Sequence, residues 1–118
     1  MKNLRNVIAA AAILMMAAAC HYGHHGTIIE TGNHYYLRIE YRGSIHFNND
    51  ETAISSISRG GYVKFVLNGK RLDAENGRHG DIVYELYDNG ERLDPKSNGR
   101  ALIAEAVRVM IAKGDHYD

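Results

Sequence analysis

The sequence predicts an α+β fold, a twisted antiparallel β-meander of about six short strands with one C-terminal helix packed across it. Three observations lead there. Apolar residues alternate with polar ones at a period of two through the middle of the chain, turn-forming pairs separate these runs, and a stretch with helical spacing follows near the end. A single open sheet leaves its apolar face in water, so the helix has to cover it.

Leu37, Ile39 and Tyr41 alternate with Tyr36, Arg38 and Glu40, the pattern of a half-buried strand. Arg42-Gly43 supplies a tight turn or bulge. Ile45 and Phe47 then alternate with Ser44 and His46, and Asn48-Asn49-Asp50 closes that strand with turn chemistry. A short strand over Thr52 to Ser58 follows. Arg59-Gly60-Gly61 offers positive-φ positions for a hairpin, after which Val63, Phe65 and Leu67 point one way and Tyr62, Lys64 and Val66 the other. Asn68-Gly69 is the strongest hairpin signal in the chain. Leu72 and Ala74 continue the alternation, and Glu75 to Gly80 is a polar turn. Ile82, Tyr84 and Leu86 then alternate with Val83, Glu85 and Tyr87 up to Asp88-Asn89-Gly90.

Asp94 or Asn98 is placed to cap a helix, with Pro95 suited to its first turn. Leu102, Ile103, Ala106, Val107, Val109, Met110 and Ile111 recur at helical spacing as far as Gly114, while Ala101, Glu105, Arg108 and Ala112 form the opposite face. Residues 34–118 are thus read as one domain, of a size that buries only a modest core.

The segment Ile39-Glu40-Tyr41-Arg42-Gly43 with Ile45, Phe47 and Asp50, then Ile57-Ser58 with Gly60-Gly61-Tyr62, and Gly99-Arg100-Ala101 before an apolar helix, resembles a β-rich extracytoplasmic module of uncharacterised bacterial proteins. Some relatives of that module carry it behind membrane-embedded zinc-peptidase sensor domains. The resemblance spans about Tyr36 to Lys113 and rests on glycines and core positions, so it implies a fold. No His-Glu-x-x-His motif occurs in this chain, and it therefore implies no peptidase chemistry here.

Upstream, Lys2 and Arg5 precede a wholly apolar run from Val7 to Ala19, the two-part pattern of a secretory signal over residues 1–19. The run is shorter than the ~20 residues a membrane-crossing helix needs. Cys20, the only cysteine, directly follows the small residues that end it. An ordinary signal peptidase cutting after Ala17-Ala18-Ala19 would release a soluble periplasmic protein with an unpaired thiol in an oxidising compartment. Diacylglyceryl attachment to Cys20 uses that thiol, and the segment resembles a lipoprotein signal, departing from it at Ala17, where Leu is usual. His21 follows in place of the Asp that retains Gram-negative lipoproteins in the inner membrane. The resemblance therefore implies the outer membrane, facing the periplasm.

Residues 20–33 read as the lipid-attachment site and a flexible tether rich in Gly and His. His21, His24 and His25 lie together in it and are candidate ligands for Zn²⁺, Cu²⁺ or Ni²⁺. No Cys, Asp or Glu lies close by to complete a preorganised set, so a solvated tether is the plainer reading.

Function is read mainly by exclusion. Basic and acidic residues balance at 14 each, without a block of like charge, which argues against nucleic acid as a partner. Ser55, Ser56 and Ser58 lack a nucleophile-elbow sequence, the carboxylates scatter through turns and exposed faces, and no glycine pair opens a helix with a phosphate-cradling Lys. The expectation is a non-catalytic envelope lipoprotein without a cofactor, attached to the membrane by its lipid and binding another envelope protein or ligand. The alternative is a metal-binding periplasmic lipoprotein that uses the His cluster. The candidate recognition residues are Tyr36, Arg38, Tyr62, Lys64 and Tyr87, with Glu40 and Glu85 beside them, because the alternation directs all of them away from the helix. Tyrosine and arginine supply large contact area with a polar handle.

Overall fold

The computed structural model describes residues 21, 22 and 24–117. The expected signal segment and Cys20 lie outside the described residues. The strands are β1 (His21–Tyr22), β2 (His25–Gly32), β3 (Tyr35–Arg42), β4 (Ile45–Phe47), β5 (Ile54–Ile57), β6 (Tyr62–Leu67), β7 (Lys70–Asn76), β8 (Ile82–Asp88) and β9 (Glu91–Leu93), followed by the helix α1 (Arg100–Tyr117). A six-stranded sheet runs in the order β2-β3-β6-β7-β8-β9, and a three-stranded sheet in the order β1-β4-β5. Every pairing is antiparallel.

The α+β architecture of an antiparallel six-stranded meander with one C-terminal helix is therefore present, but the membership of the meander differs from the sequence reading. The strands at Ile45–Phe47 and Ile54–Ile57 leave it to form the smaller sheet with β1. Their places are taken at one edge by β2 and at the other by β9. The tether reading is corrected over His25–Gly32, which pairs with β3 along its whole length. Within that segment Thr27, Ile28, Ile29 and Thr31 are β-branched and suit a pleated strand. Only Ile28 is buried, however, so the segment shows no apolar alternation.

Two tight turns set the register of the meander. Asn68 and Gly69 both take positive φ, at 48° and 89°, as a two-residue hairpin turn matched to strand twist requires. Asn68 also closes the end of β3, its side-chain Oδ1 accepting from the Tyr36 N–H at 2.8 Å while its own N–H donates to the Tyr36 carbonyl at 3.0 Å. Asn89 and Gly90 repeat the geometry between β8 and β9.

One face of the large sheet carries Leu37, Ile39, Val63, Phe65, Leu72 and Leu86, all fully buried. The small sheet adds Ile45, Phe47, Ile54 and Ile57, and α1 adds Leu102, Ile103, Ala106, Val107, Met110 and Ile111. These side chains form one core. Burying a large aliphatic or aromatic side chain is worth about 1.5–3 kcal/mol. The ion pairs from the helix to the sheet, Lys70–Glu105 at 3.2 Å and Lys113–Glu30 at 2.8 Å, are partly exposed, and such pairs contribute about 0–1 kcal/mol each. Apolar contact holds the helix in place, and the ion pairs serve its orientation.

The helix begins differently from the sequence expectation. Asp94 and Asn98 shape the turn before it: the Asp94 carboxylate accepts from the Lys96 N–H at 2.8 Å and the Asn98 side-chain Oδ1 accepts from the Asp94 N–H at 2.7 Å. The capping position falls on Gly99, whose carbonyl accepts from the Ile103 N–H at 3.1 Å. A side chain there would run into Leu86 and the Asp94 carbonyl, so only glycine lets the helix start this close to β8. At the other end α1 continues past Gly114 to Tyr117.

Tyr84 links the two sheets. It lies on β8, and its hydroxyl accepts a hydrogen bond from the Ile54 N–H of β5 at 3.1 Å. Burial pushes its pKa above the usual value near 10, and the hydrogen bond from Ile54 offsets part of that rise. A raised pKa in the folded state means that the associated stability is complete below pH 10 and is lost as the pH climbs through the higher folded value. Tyr84→Phe, which leaves the Ile54 N–H without its partner, is expected to cost about 1–3 kcal/mol at neutral pH. Denaturant titrations should show that the difference between wild type and variant shrinks at alkaline pH; a gap independent of pH would refute the assignment.

Candidate recognition face

The second face of the six-stranded sheet is not covered by α1 or by the small sheet. Reading across it in register gives three rows. The first is Ile29, Arg38, Val66, Arg71, Tyr87 and Arg92. The second is Thr27, Glu40, Lys64, Asp73 and Glu85, and the third is His25, Arg42, Tyr62, Glu75 and Val83. Tyr36 lies at the end of the same face, opposite Thr31. The residues expected to share this face, Tyr36, Arg38, Glu40, Tyr62, Lys64, Glu85 and Tyr87, are therefore brought together. Successive residues of a strand point to opposite sides, so strand register alone suffices to gather them.

An arginine-rich row beside an acidic row produces short-range pairing along single strands. Arg38 Nη2 lies 3.2 Å from Glu40 Oε1, and Arg71 Nη2 lies 2.7 Å from Asp73 Oδ2. The Tyr62 hydroxyl donates to Glu40 Oε2 at 3.3 Å. Two cations lie over rings, Lys64 Nζ at 5.5 Å from the Tyr62 centroid and Arg71 Cζ at 5.7 Å from the Tyr87 centroid. Hydrogen bonding to Tyr36 and then Glu40 raises the Arg38 pKa, and hydrogen bonding to Asp73 raises that of Arg71, so both guanidiniums stay charged across the physiological range. Each such contact is weak in water. Together they hold side chains of high rotamer freedom in place, which lowers the ordering cost when a partner docks.

The face has shallow relief. A depression of about 210 Å³ lies between Tyr62, Lys64, Asp73, Glu75, Val83 and Glu85. At its corner a second one of about 370 Å³ is lined by His25, Thr27, Glu40, Arg42 and Tyr62. A larger groove of about 690 Å³ lies elsewhere, between the Asn48–Ala53 loop and the start of α1, lined by residues including Asp50, Tyr84 and Arg100.

Of the candidate metal ligands, His24 and His25 are exposed, with His24 at a positive φ of 68° where the chain passes from one sheet to the other. His25 stands opposite Arg42 on the large sheet, and His21 stands opposite His46 on the small one. The side chain of His21 lies outside the described residues. Among the described residues no group of three or more His, Cys, Asp or Glu comes together to hold a metal ion. No described helix is long and apolar enough to cross a membrane.

The face holds more than the sequence reading assigned to it. Arg71, Asp73 and Glu75 belong to it, and the alternation of β7 around Leu72 and Ala74 is the signal that finds them. Thr27 and Ile29 belong to it as well, and they were hidden by the reading of their segment as a tether. No protein-family model, curated protein sequence or solved structure matches this chain.

Proposed function

We propose that this chain is a non-catalytic cell-envelope lipoprotein, anchored through lipid on Cys20, whose uncovered sheet face binds another envelope protein. Supporting the anchor are the positive start, the short apolar run and the position of the lone cysteine directly after it. Supporting the binding role is one observation above the others: an uncovered sheet face carries Tyr36, Tyr62 and Tyr87 among arginines that are already held by neighbouring carboxylates and rings. Tyrosine and arginine dominate binding hot spots, and prior ordering of their side chains favours affinity.

The test is the triple variant Tyr36→Ser, Tyr62→Ser, Tyr87→Ser. None of the three belongs to the core, so its melting temperature should stay within a few degrees of wild type. Crosslinking in native membranes should yield at least one adduct with the wild-type protein that the variant loses. A folded variant with an unchanged adduct profile would remove this face from consideration.

A further inference from the structure

The two edges of the large sheet differ. At one end β9 is three residues long and carries Glu91 and Arg92, the short and charged edge that discourages further pairing. At the other end β2 is eight residues long, contains no Pro, Lys or Arg, and among the described residues pairs only with β3. Every second residue of β2 therefore turns its N–H and C=O away from the sheet, which is a template for another strand. Exposed apolar side chains stand at this edge as well: Ile29, 54% exposed, lies on β2, and Tyr36, exposed on the same face, lies on β3 opposite Thr31.

The sequence of β2 indicates its own partner. From Gly26 to Gly32 it reads Gly-Thr-Ile-Ile-Glu-Thr-Gly, nearly the same in both directions about Ile29. In an antiparallel pair of two copies centred on that residue, Ile29 faces Ile29, Thr27 faces Thr31, and Gly26 faces Gly32. Matched β-branched and threonine pairs across strands are favourable. On the outer face this register opposes no like charges. On the inner face Glu30 meets Ile28, and Glu30 is already held by Lys113 of its own chain at 2.8 Å.

We infer that the protein forms a symmetric homodimer by pairing β2 with β2 of a second copy, joining the two large sheets into one continuous sheet. The pairing uses the outward backbone groups of β2, whose Thr27 and Ile29 side chains stand at the margin of the face proposed to bind a partner. The triple tyrosine variant leaves that backbone edge intact, so dimerisation and partner binding can fail independently. The experiment uses the full-length protein in detergent micelles. Wild type is expected to sediment as a dimer, and Ile29→Arg, which sets two like charges opposite each other at an exposed position, should raise the dimer dissociation constant roughly tenfold or more while leaving the circular dichroism spectrum of the folded chain unchanged. Ile29→Cys should form an intermolecular disulfide beyond any that the wild type gives. Thr27→Cys combined with Thr31→Cys should do so too, whereas Thr27→Cys alone should not. A monomeric wild type, or a dimer that tolerates Ile29→Arg and gives no crosslink through Ile29→Cys, overturns the inference.

Discussion

Val107→Asp is expected to unfold the protein. Val107 is fully buried, lies in the middle of α1, and belongs to the single core shared by both sheets and the helix. No buried polar or charged residue exists among the described residues to receive a carboxylate there. The aspartate would stay ionised at a cost of several kcal/mol or be protonated at a comparable one, and it would also forfeit the burial of the valine. Against a total stability of about 5–15 kcal/mol, that loss removes most or all of the margin. Circular dichroism should show no cooperative melt at 25 °C and above. Arg108→Asp, one residue on and exposed, is the control and should melt within a few degrees of wild type. A cooperative Val107→Asp variant with an unchanged midpoint would mean that the helix does not dock as described.

Cys20→Ser should move the protein from the membrane fraction to the soluble one and abolish its labelling by palmitate. The size of the effect follows from chain number: a single acyl chain holds a protein at a membrane only marginally, whereas the two chains of a diacylglyceryl group hold it stably. No described helix is long and apolar enough to cross the bilayer. Because β1 begins at His21, the residue after the modified one, a lipid on Cys20 would hold the three-stranded sheet close to the headgroups. Wild-type protein that takes up no palmitate, together with a variant that still pellets with membranes, would defeat the lipoprotein assignment.

The uncovered face of the large sheet was largely legible in the sequence because strand periodicity is local. Once Leu37, Ile39 and Phe65 are placed inward, Arg38, Glu40 and Lys64 must point outward, whichever strands become neighbours. The order of the neighbours was not legible. The hairpin between β6 and β7 was evident from Asn68-Gly69, which dictates its own geometry. The pairing of β3 with β6, by contrast, skips over β4 and β5, and no short motif encodes a partner that far along the chain. That pairing places Arg38 and Arg71 in one row with Val66 between them, and it was this step that turned a list of exposed residues into a surface.

By itself the sequence determined the class of the fold, the strand faces, the tight turns and the buried stripe of the helix, because each rests on contacts among residues a few positions apart. The tertiary structure decided the rest. It divided the strands into two sheets and recruited His25–Gly32 as an edge strand, since Ile28 needed the inner face of β3 to become buried. It moved the helix cap to Gly99, because there Leu86 of β8 and the Asp94 carbonyl come close enough to exclude a side chain. These outcomes depend on which distant surfaces meet, and the free energy of that meeting belongs to the packed core as a whole.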